Sequence, residues 1–459
     1  MTRFAIRVAF AARATIFAVA MIAAAACASA RPEQQLQATT ETGRLVPLDS
    51  VTISYTVGAV HIIQRPNYAN DVVAVHLYLL GGRRQLTPAT QGIESLLLRA
   101  SKYGTMKYPD DTTRRAWSRT GSDLLLDATD DWTLFGFRSI TQEFDSSWNV
   151  FADRLMHPTL SSANVALVRN QMIERVRERH TSPDGYLSLL SDSVSFNGQP
   201  YALQPEGTET SLPGLDSAAL AGYARAQIVT SRMLLVVVGN VSRESVEHAV
   251  AATLATLPAG QYVWALPATA PRELVPAVLR ERHVATNYVL GVFEGPPASS
   301  PDYPAFRVAT ELLSSRIQQK VRTEHALSYA AFAPFTDRAI ATGGIYFTTN
   351  LPDRVLPIIK EQVDFVRHLP TELIDMHYFT DAFIFDYLAN NSTDNAQADF
   401  LARAQLYEGD YRKASDAMEE LRRVTTGRVR AAAQHYFSHI QFVYVGDTTK
   451  VMRSAFATF

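Results

Sequence analysis

Two passages far apart in this chain carry the same order of signals. MLLVVVGNVSRESV (233–246) and IQFVYVGDTTKVM (440–452) each run from an apolar strand through a Gly-Asn or Gly-Asp turn into a new polar segment. Their glycines, Gly239 and Gly446, lie 207 positions apart. A second pair, YLLGGRR with Gly82 and VFEGPPA with Gly295, repeats at an offset of 213, and a helix-like segment follows each turn. Two pairs at nearly the same offset imply duplication rather than coincidence. The expected fold is therefore α+β: two homologous halves, each an antiparallel-rich sheet packed with helices, at 46–258 and 275–459. Between them, residues 259–274 read as a linker, because LPAGQYVWALPATAP is dense in Pro and Gly.

Within each half the order is strands, a helix, more strands, a long helical region and a last strand. LLLDATDDWTLFGFRSI reads as a hairpin whose turn holds Asp130 and Asp131, taken as turn and cap residues. SSWNVFADRLMHP and ANVALVRNQMIERVRERH have helical apolar spacing. In the second half PAFRVATELLSSRIQQKVR is an amphipathic helix, LSYAAFAPF and GGIYFTTN read as paired strands, and DRVLPIIKEQVDFVRHL returns to helix.

The first thirty residues read differently. Arg3, Arg7 and Arg13 precede an apolar run from Ala14 to Ala26 and then small residues, the layout of a bacterial secretory signal over 1–30. The run is short for a membrane span, and no later segment reaches about 18 uninterrupted apolar residues. An exported, periplasmic protein is expected. Two readings of the leader stand side by side: Cys27, the single cysteine, as a lipidation site that would make a lipid anchor the one attachment to a membrane, or cleavage after Ala30. Residues 31–45 are polar and aperiodic and read as a flexible tether. With 47% hydrophobic and 19% charged residues the remaining chain has ample core, and a net charge of −2 offers no basic surplus for nucleic acid.

In QGIESLLLRASKYGT (91–105), Ile93, Leu96, Leu97 and Ala100 recur at helical spacing, which predicts a helix with one buried edge. Ser95, Leu98, Arg99 and Lys102 then share the opposite face. This segment, DSAALAGYARAQIVTSRMLLVVVGNV and SSRIQQKVRTEHALSYAAF come in the order, and within the duplicated layout, of the insulinase or pitrilysin family of zinc metallopeptidases, which the chain resembles over essentially its whole length past the leader. In that family the first helix carries H-x-x-E-H, two zinc-binding His with a general-base Glu between them. Here the His positions hold Ser95 and Arg99 and the Glu position holds Leu98. A hydroxyl is a poor zinc ligand, leucine accepts no proton, and a guanidinium has no lone pair to donate. The family's third ligand is a Glu on a later helix, yet no Glu occurs from Phe144 through Ile173. The chain is thus expected to bind no zinc and to be inactive alone.

Other constellations offer little. His435 and His439 are spaced i, i+4 and formally able to share a metal, but no acidic or thiol partner is near in sequence. Glu94 and Glu174 read as helix-surface charges. The resemblance implies one surviving piece of machinery: an Arg and, seven residues later, a Tyr, which in the family hydrogen-bond substrate and the developing oxyanion at a facing zinc site. VRTEHALSY supplies Arg322 and Tyr329 at that spacing. Donors of this kind suit a tetrahedral intermediate; the structural alternative is a helix-capping Arg322 and a core Tyr329. Some bacterial members of that family are split peptidases, and the resemblance to them implies the non-zinc subunit of a clamshell-type heterodimeric peptidase for unfolded peptides, with zinc in a paralogous partner. The rival reading is a catalytically silent structural or peptide-binding module.

Overall fold

Val73, Val75, Leu77 and Leu79 line one side of a nine-residue strand and His76, Tyr78 and Leu80 the other, and both sides are buried. Successive strand side chains alternate faces, so a strand apolar on both must lie inside a sheet that is covered twice. The computed structural model, which describes residues 51–267, 275–370, 376–390 and 393–459, accounts for both covers.

The first half builds β1 (Ile53–Val57), β2 (Val60–Pro66), β3 (Val72–Leu80), α1 (Ile93–Ala100), α2 (Asp111–Thr120), β4 (Asp123–Ala128), β5 (Trp132–Ile140), α3 (Phe144–Met156), α4 (Ser162–Thr181), α5 (Pro183–Ser195), α6 (Ser217–Gln227), β6 (Met233–Gly239) and α7 (Arg243–Ala251). The second builds β7 (Val278–Glu281), β8 (Asn287–Pro297), α8 (Tyr303–Ile317), β9 (Ala331–Phe332), β10 (Phe335–Thr336), β11 (Ile340–Thr349), α9 (Pro352–Arg367), α10 (Met376–Asn390), α11 (Asp394–Glu408), α12 (Ala417–Arg422), α13 (Thr426–Tyr436) and β12 (Gln441–Gly446). The first sheet runs β1-β2-β6-β3-β5-β4 and the second β10-β11-β8-β12-β7, with β9 also on β11. The path β2-β6-β3-β5-β4 matches β7-β12-β8-β11-β10 in order and in sense: β2–β6 and β7–β12 are parallel, all other pairs antiparallel. Two similar halves are therefore written into the topology. Where LSYAAFAPF predicts one strand, only Ala331–Phe332 and Phe335–Thr336 pair, each with β11.

The repeated glycines have a shared reason. Gly239 and Gly446 end equivalent strands with φ of 138° and 153°. A Cβ there would sit 2.3 Å from the Val72 carbonyl oxygen and 2.3 Å from Asn287 Oδ1 respectively. Only glycine takes that backbone and that approach without strain.

One face of each sheet is covered from within its half. Val75 and Leu77 of β3 and Leu235 and Val237 of β6 pack under α1, α3 and α4; Val289 and Phe293 of β8 pack under α8, α9 and α13. The opposite faces are covered reciprocally. Ala398, Leu401 and Ala402 of α11, from the second half, lie against Tyr78, Val236 and Val238 of the first sheet. Leu187 and Leu190 of α5, from the first half, lie against Val443, Val445 and Leu290 of the second.

Polar contacts tighten the exchange. His76 Nδ1 and Tyr78 Oη on β3 reach Asp399 Oδ1 of α11 at 3.1 and 2.6 Å. A further junction is the β4–β5 turn, where sequence predicts ordinary turn residues. The turn forms, with Thr129 N–H donating to the Trp132 carbonyl at 2.9 Å, yet its carboxylates do more than shape it. Asp131, 1% exposed, accepts from Tyr201 Oη (2.8 Å) in the first half and from Tyr407 Oη (2.9 Å) and the Ala339 N–H (2.9 Å) in the second. Asp130 pairs with Arg83 at 2.7 Å and with Arg338 of the second half at 3.0 Å.

Because Asp131 satisfies buried donors from both halves, Asp131→Ala is expected to destabilise the whole unit by about 3 kcal/mol, with one cooperative urea transition retained; a loss below about 0.5 kcal/mol would show that the junction contributes no net stability. Glu408, the last residue of α11, has its carboxyl pushed up to about 7, by burial first and then by the charge of Glu420. A folded value raised above the unfolded one means stability present at low pH and lost as pH rises through about 7. Glu408→Gln is therefore expected to raise the urea midpoint over the parent at pH 8 and to leave it nearly unchanged at pH 5.

Candidate functional site

The helix at the degenerate motif is set by its first turn. Gly92 caps α1 with φ 87°, and a Cβ on it would meet the Gly207 Cα at 2.8 Å, so the loop around 204–211 crosses directly over the helix start. Gln91 ties that loop down: its Oε1 accepts from the Gln204 N–H at 2.7 Å and its carbonyl from Ser211 Oγ at 2.9 Å. The loop thereby hangs Glu206 over the first and second turns of α1. Arg99 Nη2 donates to both carboxylate oxygens of Glu206 at 2.9 Å, and Ser95 Oγ donates to Oε1 at 3.1 Å.

The predicted single buried edge of α1 is too modest. Ser95 is 0% and Leu98 1% exposed, and Leu98 belongs to the same core cluster as Leu96 and Leu97. The face that in the resembling family presents metal ligands here presents an inert side chain to the core and a guanidinium already held by a carboxylate. Zinc does not fit this donor set: a positive charge occupies the second His position, and Arg175 of α4 adds another nearby. Among the described residues no group of three or more His, Cys, Asp or Glu is placed to hold a metal ion.

Glu94 is a correction. It is no surface charge but a buried group, 3.0 Å from the fully buried Arg232 and accepting from Tyr223 Oη at 2.8 Å. Burial and then the Glu94 charge raise the Tyr223 phenol well above its ordinary value, keeping it a neutral donor. Glu174 is exposed, as expected, and pairs with Arg177 at 2.7 Å. At the other end of α1, the buried Arg154 donates through Nε to Ser101 Oγ at 3.2 Å. Burial lowers its guanidinium to about 10, and the helix C-terminus offers compensating negative potential.

Arg322 and Tyr329 flank the end of the α8 region. After Ile317 the helix widens into a π-helical turn, Gln318–Glu324, which carries Arg322. The chain then reverses through Ala326 at φ 51°, with the Leu327 N–H donating to the Val321 carbonyl at 2.9 Å, and delivers Tyr329 back beside Arg322. The guanidinium carbon sits 4.8 Å from the ring centroid. Tyr329 is 76% exposed, so it is not the core aromatic of the structural alternative. No described residue forms a hydrogen bond with either side chain. His435 and His439 do not share a helix face: α13 ends at Tyr436, and His439 lies beyond it with φ 56°. Cys27 and the leader lie outside the described residues. Glu206 carried no local signal in sequence, since its partner Arg99 is 107 positions away.

Magnitudes separate the two ion pairs at α1. Arg99 and Glu206 are 30% and 34% exposed, so solvent screens them, whereas Arg232 and Glu94 are 0% and 6% exposed. Glu206→Ala is expected to cost less than about 1 kcal/mol and Glu94→Ala about 3 kcal/mol or more in chemical denaturation; equal costs would refute the ranking.

Known proteins share this arrangement. A family profile described as insulinase (peptidase family M16) matches residues 62–208, and one described as peptidase M16 inactive domain matches 215–380. Cytochrome b-c1 complex subunit 1 of Caenorhabditis elegans is 22% identical over 404 residues, 81% of this chain and 83% of that protein. The mitochondrial-processing peptidase subunit beta of Lentinula edodes is 22% identical over 357 residues, 72% of this chain and 76% of that protein. Among solved structures, a protease from Helicobacter pylori aligns with a TM-score of 0.76 at 16% identity, over 86% of this chain and 99% of that one. A peptidase M16 inactive domain from Pseudomonas fluorescens aligns at 0.74 and 20%, over 86% and 98%. These two structures share the fold.

Proposed function

The chain belongs to the insulinase family, peptidase family M16, as a member without the zinc motif, and we propose that it is the non-zinc subunit of an exported heterodimeric metallopeptidase. In this reading a paralogous partner supplies zinc and the general base, and this chain supplies Arg322 and Tyr329 as donors to the substrate and the oxyanion. The carrying observation is an asymmetry: Ser95 and Leu98 are buried and Arg99 is held by Glu206, none of them able to bind zinc or act as base, while Arg322 and Tyr329 sit together, exposed and without hydrogen-bond partners among the described residues. Two free donors side by side suit a charge that develops only in the transition state. An unfolded peptide would add as a strand to an open sheet edge such as β4, the last strand of its sheet, which gives affinity through main-chain hydrogen bonds with little sequence preference. The leader supports a periplasmic site of action, with Cys27 as anchor or cleavage after Ala30.

The C. elegans relative, named as a subunit of the cytochrome b-c1 complex and not as a peptidase, favours the second reading, a silent structural or peptide-binding module. Co-expression with a paralogue from the same source that carries an intact H-x-x-E-H separates the two. Arg322→Ala with Tyr329→Phe is expected to lower kcat/KM of the complex at least about tenfold, the scale of losing an oxyanion donor, while the subunits still co-purify. Full activity of that double variant, or no activity from any such complex, would sink the first reading and leave the module.

A further inference from the structure

Beside α1 lies a cavity of about 330 Å³, walled by α4, α5 and the loop that carries Glu206. Its charge is unbalanced. Arg175 and Arg179 line it from successive turns of α4, and each also feels a like charge from a neighbouring element, Arg99 on Arg175 and Arg83 on Arg179. The one carboxylate on the wall, Glu206, already has both oxygens engaged by Arg99. Arg179 donates hydrogen bonds only to neutral groups, Gln204 Oε1 at 3.2 Å and Ser188 Oγ at 3.5 Å, and feels the charges of Asp192 and Glu206 without pairing with either; Arg175 has no hydrogen bond or ion pair among the described residues. Burial, and then the like charge of Arg99, lowers the Arg175 guanidinium, so the site carries an electrostatic cost in the free chain. The Arg99 Nε–H is also sealed from solvent without an acceptor. The rest of the wall is mixed, with Met172, Val176 and Leu189 as its apolar part beside the polar Gln91, Ser193 and Thr208 and His180, which lies 3.5 Å from Glu209.

We propose that this cavity is a binding site for a carboxylate carried next to an apolar side chain, as at the C-terminus of a peptide or in an N-acylated amino acid. Arg175 and Arg179, one helical turn apart on the same wall, are the cations that a carboxylate entering the cavity would meet. Met172 and Val176, on the same face of α4, receive the apolar group. The volume suits one residue and its neighbour rather than a long segment. The site belongs to this chain alone and does not depend on a partner subunit or on Arg322 and Tyr329.

Calorimetric titration of the purified chain tests this with four probes at fixed ionic strength: a hexapeptide ending in Leu as the free acid, the same peptide as its C-terminal amide, N-acetyl-leucine, and inorganic phosphate. The free acid is expected to bind saturably and the amide at least about tenfold more weakly. Arg175→Gln is expected to weaken the free acid by a similar factor with an unchanged or higher urea midpoint, because Arg175 has no hydrogen bond or ion pair in the fold to lose and its charge is unfavourable there. N-acetyl-leucine binding as tightly as the peptide assigns the site to small carboxylates, and a tighter peptide assigns it to chain ends; both support the proposal. Equal binding of acid and amide, indifference to Arg175→Gln, phosphate binding as tightly as the free acid, or no saturable binding up to about 1 mM, the weak limit of a specific site, would overturn it.

Discussion

Each sheet of this protein has two apolar faces, and each half owns helices enough for only one. The alternation along β3, β6 and β12 makes that unavoidable: Val75 and Phe442 face helices of their own half while Tyr78 and Val443 face the helix from the other, and all are buried. At about 25 cal/mol per Å² of apolar surface, an uncovered face of several strands would cost more than the whole net stability of a domain. The exchange of α11 for α5 removes that cost on both sides at once. The two halves, over the described residues, form one compact unit rather than two, as the reciprocal cover requires.

Polar chemistry at the junction then fixes how the halves meet. Asp131 is an acceptor for donors from both, and a buried carboxylate with that many partners tolerates little displacement of any of them. A rigid junction also holds α1 and its overlying loop, because Arg83 and Arg84, which meet Asp130 and Asp131, begin the segment that leads into α1. The site is positioned by packing that is not its own.

At α1 the chain keeps the helix and replaces the chemistry. A guanidinium gripped by Glu206 holds the loop against the helix by charge, a role for which coordination to a dication is not needed. On α4, beside the cavity, Arg175 and Arg179 form no ion pair with any described residue.

Much of this was legible in the residues. The duplicated strand–glycine passages predict two similar halves because a strand ending in a positive-φ glycine has a strong local signature, and the apolar spacing in 91–105 predicts α1. The loss of zinc chemistry is equally a matter of composition: Ser95, Leu98 and Arg99 cannot act as His and Glu whatever surrounds them. What the sequence could not determine are pairings between distant residues. Glu94 reads as a surface charge and Asp131 as a turn residue until Arg232 and Tyr407 arrive beside them, and Leu98 reads as exposed until a second layer covers it. His435 and His439 look like one helix face until the helix stops between them. Local propensity and periodicity report the neighbours within a turn or a strand pair; which charge meets which, and which helix covers which sheet, is decided by how two halves bury their remaining apolar faces against each other.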